Sequence, residues 1–168
     1  MRMLIRIISK ISDATGFLLM WLPWFLMVII VWEVIARSLF NHPTVWAHEL
    51  SIMVFAALTI LSGAYTLRTR SHVNMDLLYM QLSIRKRALL DVLTFPFFLV
   101  FCGVILWLGW EFAWRSVQMG EISQSDWAPP IWPIKLTIPL GAILLLLQGI
   151  ANFLADLIKL VTGREVTE

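Results

Sequence analysis

Long apolar runs, broken at intervals by short polar clusters, set the pattern of this chain. Four stretches carry no charged residue: Ala14–Trp32, Leu50–Leu67, Val92–Trp110 and Leu136–Ala155. Each is close to the roughly 20 helical residues that cross a bilayer. The short alternating segments of a membrane barrel are not present. A lipid-exposed backbone must satisfy its own hydrogen bonds, so each stretch reads as a helix. Carried to their polar borders, the spans run over about 14–38, 46–68, 88–116 and 133–158. Pro23, Pro96 and Pro139 lie within or near them, each a candidate bend that packing makes tolerable. The expected fold class is an all-α integral membrane protein, a single membrane domain over residues 1–168 with four long, tilted transmembrane helices.

Composition agrees with that pattern and narrows the options. Of 168 residues, 60% are hydrophobic and 14% charged, with mean hydropathy +0.82. A soluble domain carries about a quarter charged residues and could not hide this much apolar surface in one core. The formal net charge is only +2, and no basic patch interleaved with stacking aromatics points to nucleic acid. Cys102 is the only cysteine and sits in an apolar run, so no intrachain disulfide, C-x-x-C pair or zinc-ligand spacing is possible.

The placement of charge predicts orientation. The leader (Arg2, Arg6, Lys10), the middle connection (Arg68, Arg70, Arg85, Lys86, Arg87) and the tail (Lys159, Arg164) fall on one side of the membrane, leaving Arg37, Arg115 and Lys135 on the other. The positive-inside rule then puts both termini in the cytoplasm. Trp32, Trp46, Trp107, Trp110, Trp114, Trp127 and Trp132 fall toward the opposite face as an interfacial belt, with Trp21 and Trp24 as exceptions. The basic leader resembles the start of a signal peptide, but the apolar region is too long and no small-x-small site follows it, so the first span is expected to be retained. The segment LRTRSHVNMD (67–76) is where the second span reaches the cytoplasm. The following residues, about 75–84, are too apolar for a free loop and too short to cross. They predict a short interfacial helix with Asn74 as a candidate cap.

Ionisable groups near the spans are the candidate chemistry. Glu33 and Arg37 lie one turn apart in WEVIAR (32–37), and Glu111 and Arg115 lie one turn apart in WEFAWR (110–115). Three readings stand: an i,i+4 ion pair on each helix with arginine snorkelling outward, polar contacts with another chain, and an internal duplication that is compatible with either. Both groups are expected at similar membrane depth. Glu49 is a first-turn carboxylate facing its helix dipole or a partner of Arg37 across the short outer turn, and its peripheral position disfavours a proton-coupling role. His72 and Asp76 are spaced i,i+4 without further metal ligands, and His72 reads as a capping or headgroup contact. His42, His48 and His72 all lie near membrane surfaces, which disfavours transmembrane haem. Lys135 and Asp156 read as ordinary boundary residues, and the proline-stiffened segment 117–133 is the longest outer connection. Mid-membrane positions hold only Thr59, Ser62, Gly63, Gly103, Gly141 and Gln148, which suit close helix packing. No enzyme is expected, and no cofactor in this chain.

The order of short motifs carries a resemblance. Arg37 ends span 1; Asn41 and Pro43 follow in the turn, then Trp46-x-x-Glu49, Gly63-Ala64, His72-Val73-x-Met75-Asp76 and Ile138-Pro139-Leu140-Gly141. Over about residues 15–157 this resembles the small four-helix Q-type subunit of tripartite ATP-independent periplasmic (TRAP) transporters. The stretch SDWAPPIWPIKLTIPLG is most similar to the branch named for mannitol or chloroaromatic compounds. The resemblance implies a bacterial or archaeal inner-membrane scaffold for sodium-driven uptake of small organic acids, carboxylates or sulfonates. It implies as partners a large elevator-type permease subunit, which would hold the sodium and substrate sites, a periplasmic binding protein, and membrane lipid. Arg37, Trp46, Glu49, His72 and Asp76 match recurring family positions and are expected to pack and dock. The competing readings are a stand-alone homodimeric exporter using Glu33, and a membrane anchor or electron-transfer subunit.

Overall fold

The computed structural model describes residues 2–69 and 84–162. Among these residues five helices follow in chain order: α1 (Arg2–Leu19), α2 (Leu22–Ser38), α3 (Ala47–Arg68), α4 (Ile84–Met119) and α5 (Trp132–Thr162). Among the described residues the only extended pairing is an isolated bridge between Ile122 and Pro130. Four helical stretches are long and apolar enough to cross a membrane: Ile5–Ser38, Ala47–Arg68, Leu89–Met119 and Trp132–Leu160. The all-α, four-span architecture expected from the apolar pattern is therefore present. The interfacial helix expected over about 75–84, and with it His72, Asn74 and Asp76, falls outside the described residues, save for the last position of that stretch, which opens α4.

The first span departs from a single helix over 14–38. Its helix starts at Arg2 and breaks at Met20–Trp21 before α2 resumes. Pro23 explains the break. Proline has no N–H with which to continue the ladder of α1, yet it fits the first turn of α2, where that group has no helical partner. At the joint the Trp21 N–H donates to the Leu18 carbonyl at 3.4 Å, a shorter loop than the helical one. The basic leader does not stop α1, because its charges share one face. Ile5, Ile8, Ser9, Ser12 and Leu19 are buried, while Arg6, Lys10 and Asp13 are exposed.

The helices form an open layer instead of a closed bundle. α2 packs on α3, α3 on α5, and α5 on α4, while α1 lies along the seam between α3 and α5. α2 and α4 occupy opposite edges with no packing interface between them. α5 is the hub: a third (33%) of its apolar window is buried, against 6% for α3 and for α4. α3 and α5 run parallel, with Ile60 beside Gly141 and Gly63 beside Leu145. α4 runs antiparallel to α5, with Gly109 beside Ile138 and Phe95 stacked on Phe153 at 4.1 Å between centroids. The end of α2 lies beside the start of α3, with the Thr44 N–H bonded to Glu33, so α2 runs antiparallel to α3 and points the same way as α4. One end of the layer carries the 39–46 and 120–131 connections and most of the tryptophans; the other carries the start of α1 and the end of α5.

Small side chains make this layer possible. On α4, Cys102, Gly109, Ala113 and Ser116 are buried in a stripe of helical spacing; on α5, Gly141, Ala142, Gly149 and Ala151 are buried. Lipid tails are as apolar as leucine, so association in a membrane relies on close van der Waals fit, which small residues allow. At 1.5 Å per residue, the 36 residues of α4 extend about 54 Å, beyond the ~40–45 Å of a whole bilayer. α4 must therefore lean or project beyond the headgroups.

Two glycines make opposite predictions. A Cβ at Gly141 would stand 2.6 Å from Ile60 Cγ2 and 2.9 Å from the Ile60 carbonyl oxygen, which is backbone and cannot rotate away. A Cβ at Gly103 meets nothing within 4 Å. Gly141→Ala should therefore separate α3 from α5 at a cost of about 1–3 kcal/mol, lowering the melting temperature in detergent. Gly103→Ala should be neutral or raise it slightly through helix propensity.

Candidate functional site

Polar chemistry collects at the two ends of the layer. At the tryptophan end, the two W-E-x-x-x-R motifs sit on α2 and α4, which run in the same direction, so both lie toward the same end of the layer. Arg37 Nη2 donates to Glu33 Oε1 at 2.9 Å. The other carboxylate oxygen of Glu33 accepts the Thr44 N–H at 3.1 Å and the Thr44 hydroxyl. Glu33 thus fastens the end of α2 to the turn before α3, a turn that Asn41 enters with φ of 48°. Arg115 likewise pairs with Glu111 one turn away, and both of those side chains are at least half exposed.

Glu49, in the first turn of α3, accepts a hydrogen bond from the Ser125 hydroxyl. The alternative pairing with Arg37 does not occur. Glu33 holds the guanidinium one turn back on its own helix, with 69% of that side chain exposed. Glu49 therefore joins α3 to the distant 120–131 connection, a contact that spacing in the sequence could not reveal. Trp46 is partly buried at the N-cap of α3.

That connection is an ordered turn. The Ser123 N–H donates to the Pro129 carbonyl at 2.8 Å and the Ile131 N–H to the Glu121 carbonyl at 2.9 Å. Ala128 completes the tip with φ of 47°, its N–H donating to the Ser125 carbonyl at 3.1 Å. Lys135 is more than the boundary residue its position suggests. Its ammonium donates to Glu121 and lies 4.2 Å from the centroid of the Phe112 ring, so one cation ties the loop, α4 and α5 together. Lys135 holds the Glu121 carboxyl below the usual carboxylate range.

At the terminal end lies a polar clasp that sequence reasoning did not assign. The Ser12 hydroxyl of α1 donates to Gln148 Oε1 at 2.7 Å, and both side chains are buried. Gln148 Nε2 donates to Asn152 Oδ1 at 2.9 Å, and Asn152 Nδ2 donates to the Leu67 carbonyl of α3 at 3.1 Å. Asp13 pairs with Arg68 alongside. Ile5 and Ile8 pack on Ala151, with Leu147, Leu154, Ala155 and Ile158 around them. Asp156 is buried, with the Lys159 ammonium at 3.2 Å. The available signal was Gln148 and Asn152 spaced i,i+4 within an apolar span.

The arrangement can hold helices and present charge. Among the described residues no group of three or more His, Cys, Asp or Glu side chains could hold a metal ion.

The family model described as "Tripartite ATP-independent periplasmic transporters, DctQ component" matches residues 26–159. The chain is similar to the C4-dicarboxylate TRAP transporter small permease protein DctQ of Rhodobacter capsulatus, 34% identical over 101 residues; that match covers 60% of this chain and 44% of the relative. It is also similar to the sialic acid TRAP transporter small permease protein SiaQ of Vibrio cholerae, 25% identical over 166 residues, covering 97% of this chain and 90% of the relative.

Two outcomes test the clasp and the loop. Gln148→Leu strands the Ser12 and Asn152 partners and should destabilise the protein by about 1–3 kcal/mol, with faster proteolysis within α1. Glu121 has a depressed pKa when folded, so its tie is present above the ordinary carboxylate range and lost as pH falls through the folded value. Hydrogen exchange at the Ser123 and Ile131 amides, corrected for intrinsic rate, should stay slow at neutral pH and accelerate only in acid, below the ordinary carboxylate range. In Glu121→Gln it should be fast throughout.

Proposed function

The chain belongs to the family of DctQ components of TRAP transporters, and from that premise we propose that it is a fixed scaffold beside a larger permease subunit. The family is a transporter component, not an enzyme, and the protein is a multi-pass inner-membrane protein. In the proposed role the large subunit carries the cargo and moves against this layer by an elevator motion driven by sodium. A periplasmic binding protein delivers that cargo. The cargo is a small organic acid: both relatives are named for carboxylic acids, C4-dicarboxylates and sialic acid. Sulfonates belong to the same class, and the mannitol-like branch remains part of the proposal through the SDWAPPIWPIKLTIPLG segment.

One observation carries this reading: the helices make an open layer with apolar residues on both faces. A layer of this kind encloses no pathway of its own, and an edge or face of it suits a second membrane protein. Its ties resist deformation at both ends, through Glu33–Thr44, Glu49–Ser125 and Glu121–Lys135 at one and the Ser12–Gln148–Asn152 clasp at the other. Arg37, Trp46 and Glu49, with His72 and Asp76, are assigned as packing and docking residues. We place the termini in the cytoplasm, on the side rich in lysine and arginine. The exporter reading is disfavoured because Glu33 is engaged by Arg37 and Thr44 near a helix end.

A tagged copy purified in mild detergent should bring down a larger multi-span protein, and the chain alone in liposomes should show no organic-acid uptake. Uptake by the lone chain, or purification without a larger partner, would overturn the scaffold. For orientation, Gln124→Cys in a Cys102→Ser background should react with an impermeant maleimide from the periplasm, whereas Lys10→Cys should react only after permeabilisation.

A further inference from the structure

The two W-E-x-x-x-R motifs have the same letters and different surroundings. In the first, both oxygens of Glu33 are engaged within the protein, by Arg37 and by Thr44. In the second, Glu111 has Arg115 as its partner among the described residues, with 50% and 69% of the two side chains exposed. A carboxylate and a guanidinium, side by side at the tryptophan end, are left facing outward.

Directly below them lies a groove of about 590 Å³ between α4 and α5. Its lining is apolar apart from Glu111: Gly103, Trp107, Trp110 and Trp114 on one face of α4, and Ile143 opposite. The missing side chain at Gly103 leaves its deep end open, with nothing within 4 Å of where a Cβ would be. Trp110 and Trp114 stack 6.1 Å apart with rings 4° from parallel, giving a smooth wall. From Gly103 to Trp114 the helix rises about 17 Å, close to the ~15 Å of one hydrocarbon leaflet. The groove therefore runs from mid-membrane to headgroup depth and ends at a pair of opposite charges.

We propose that this groove seats one phosphatidylethanolamine molecule, with an acyl chain along Gly103 and Trp107, its ammonium on Glu111 and its phosphate on Arg115. The headgroup chemistry selects this occupant. A primary ammonium has three donors for a carboxylate that has an accepting oxygen to spare. A phosphate diester matches the guanidinium fork. A choline headgroup offers no N–H donor, and a glycerol headgroup has no cation to meet Glu111. The bound headgroup would thus replace the part that Thr44 plays for Glu33. This inference does not depend on the scaffold reading, because it concerns a groove and a charge pair within this chain.

The test is native mass spectrometry of the full chain, with any protein that co-purifies, titrated with phosphatidylethanolamine, phosphatidylcholine and phosphatidylglycerol of the same acyl composition. One phosphatidylethanolamine should bind at least about tenfold more tightly than either of the others, the scale of one charge-assisted hydrogen bond. Glu111→Gln should reduce that preference to about twofold or less while phosphate-driven binding through Arg115 persists. Gly103→Leu should fill the groove and weaken all three lipids, and Glu33→Gln should leave the preference unchanged. A photo-crosslinking residue in place of Trp107 should capture lipid. Equal affinity for the three lipids, a preference that survives Glu111→Gln, or capture of a protein at position 107 would each overturn the proposal. The comparison among headgroups needs only the wild-type chain, so it decides the matter even if a variant fails to fold.

Discussion

In lipid, an apolar side chain gains little by exchanging a hydrocarbon neighbour for a protein one, so these helices depend on how closely their backbones approach. That approach is concentrated on α5. Gly141 admits Ile60 of α3, Gly149 admits Phe98 of α4, and Ala151 admits Ile5 and Ile8 of α1. Leucine at those three positions would hold the other helices apart. The order of the layer follows: α5 touches α1, α3 and α4, while α2 is joined through α3.

Close approach sets neither register nor depth, and polar bonds supply both. The Ser12–Gln148–Asn152–Leu67 chain crosses from α1 through α5 to α3, so sliding any one of them breaks a buried or part-buried hydrogen bond. At the other end, Glu49 to Ser125 and Glu121 to Lys135 fix the 120–131 turn against two helices. The middle of the layer between these ties is nearly free of polar groups. This distribution suits the scaffold role proposed above.

The fold was legible where the signal is local and repetitive. Four charge-free runs gave four spans, and the two i,i+4 glutamate–arginine spacings marked where helix ends carry charge. The break at Met20–Trp21 was obscured because Pro23 sits in an unbroken apolar run, and hydropathy does not register a missing N–H. The length of α1 was obscured because Arg2, Arg6 and Lys10 read as a flanking leader when scored by charge, although Arg6 and Lys10 lie on the exposed face of a helix. The partner of Glu49 was not legible, since Ser125 lies 76 positions away and meets it only through the packing of α3, α4 and α5. The clasp was half legible: Gln148 stands out as a polar residue within an apolar span, but its partner Ser12 precedes the first charge-free run.

An open layer of helices has a consequence for how its sequence can drift. In a closed bundle most positions meet several neighbours, and each exchange must be accommodated in three dimensions. Here many large apolar residues, such as Trp24, Phe55, Phe97 and Val100, are half exposed or more and stand on a broad outer surface where leucine, phenylalanine or valine would serve alike. The information that specifies the shape is confined to narrow strips of glycine, alanine and a few hydrogen-bonding letters. Such a chain can lose most of its spelling while retaining its form, which accords with a relative only 25% identical yet matched over 97% of this chain.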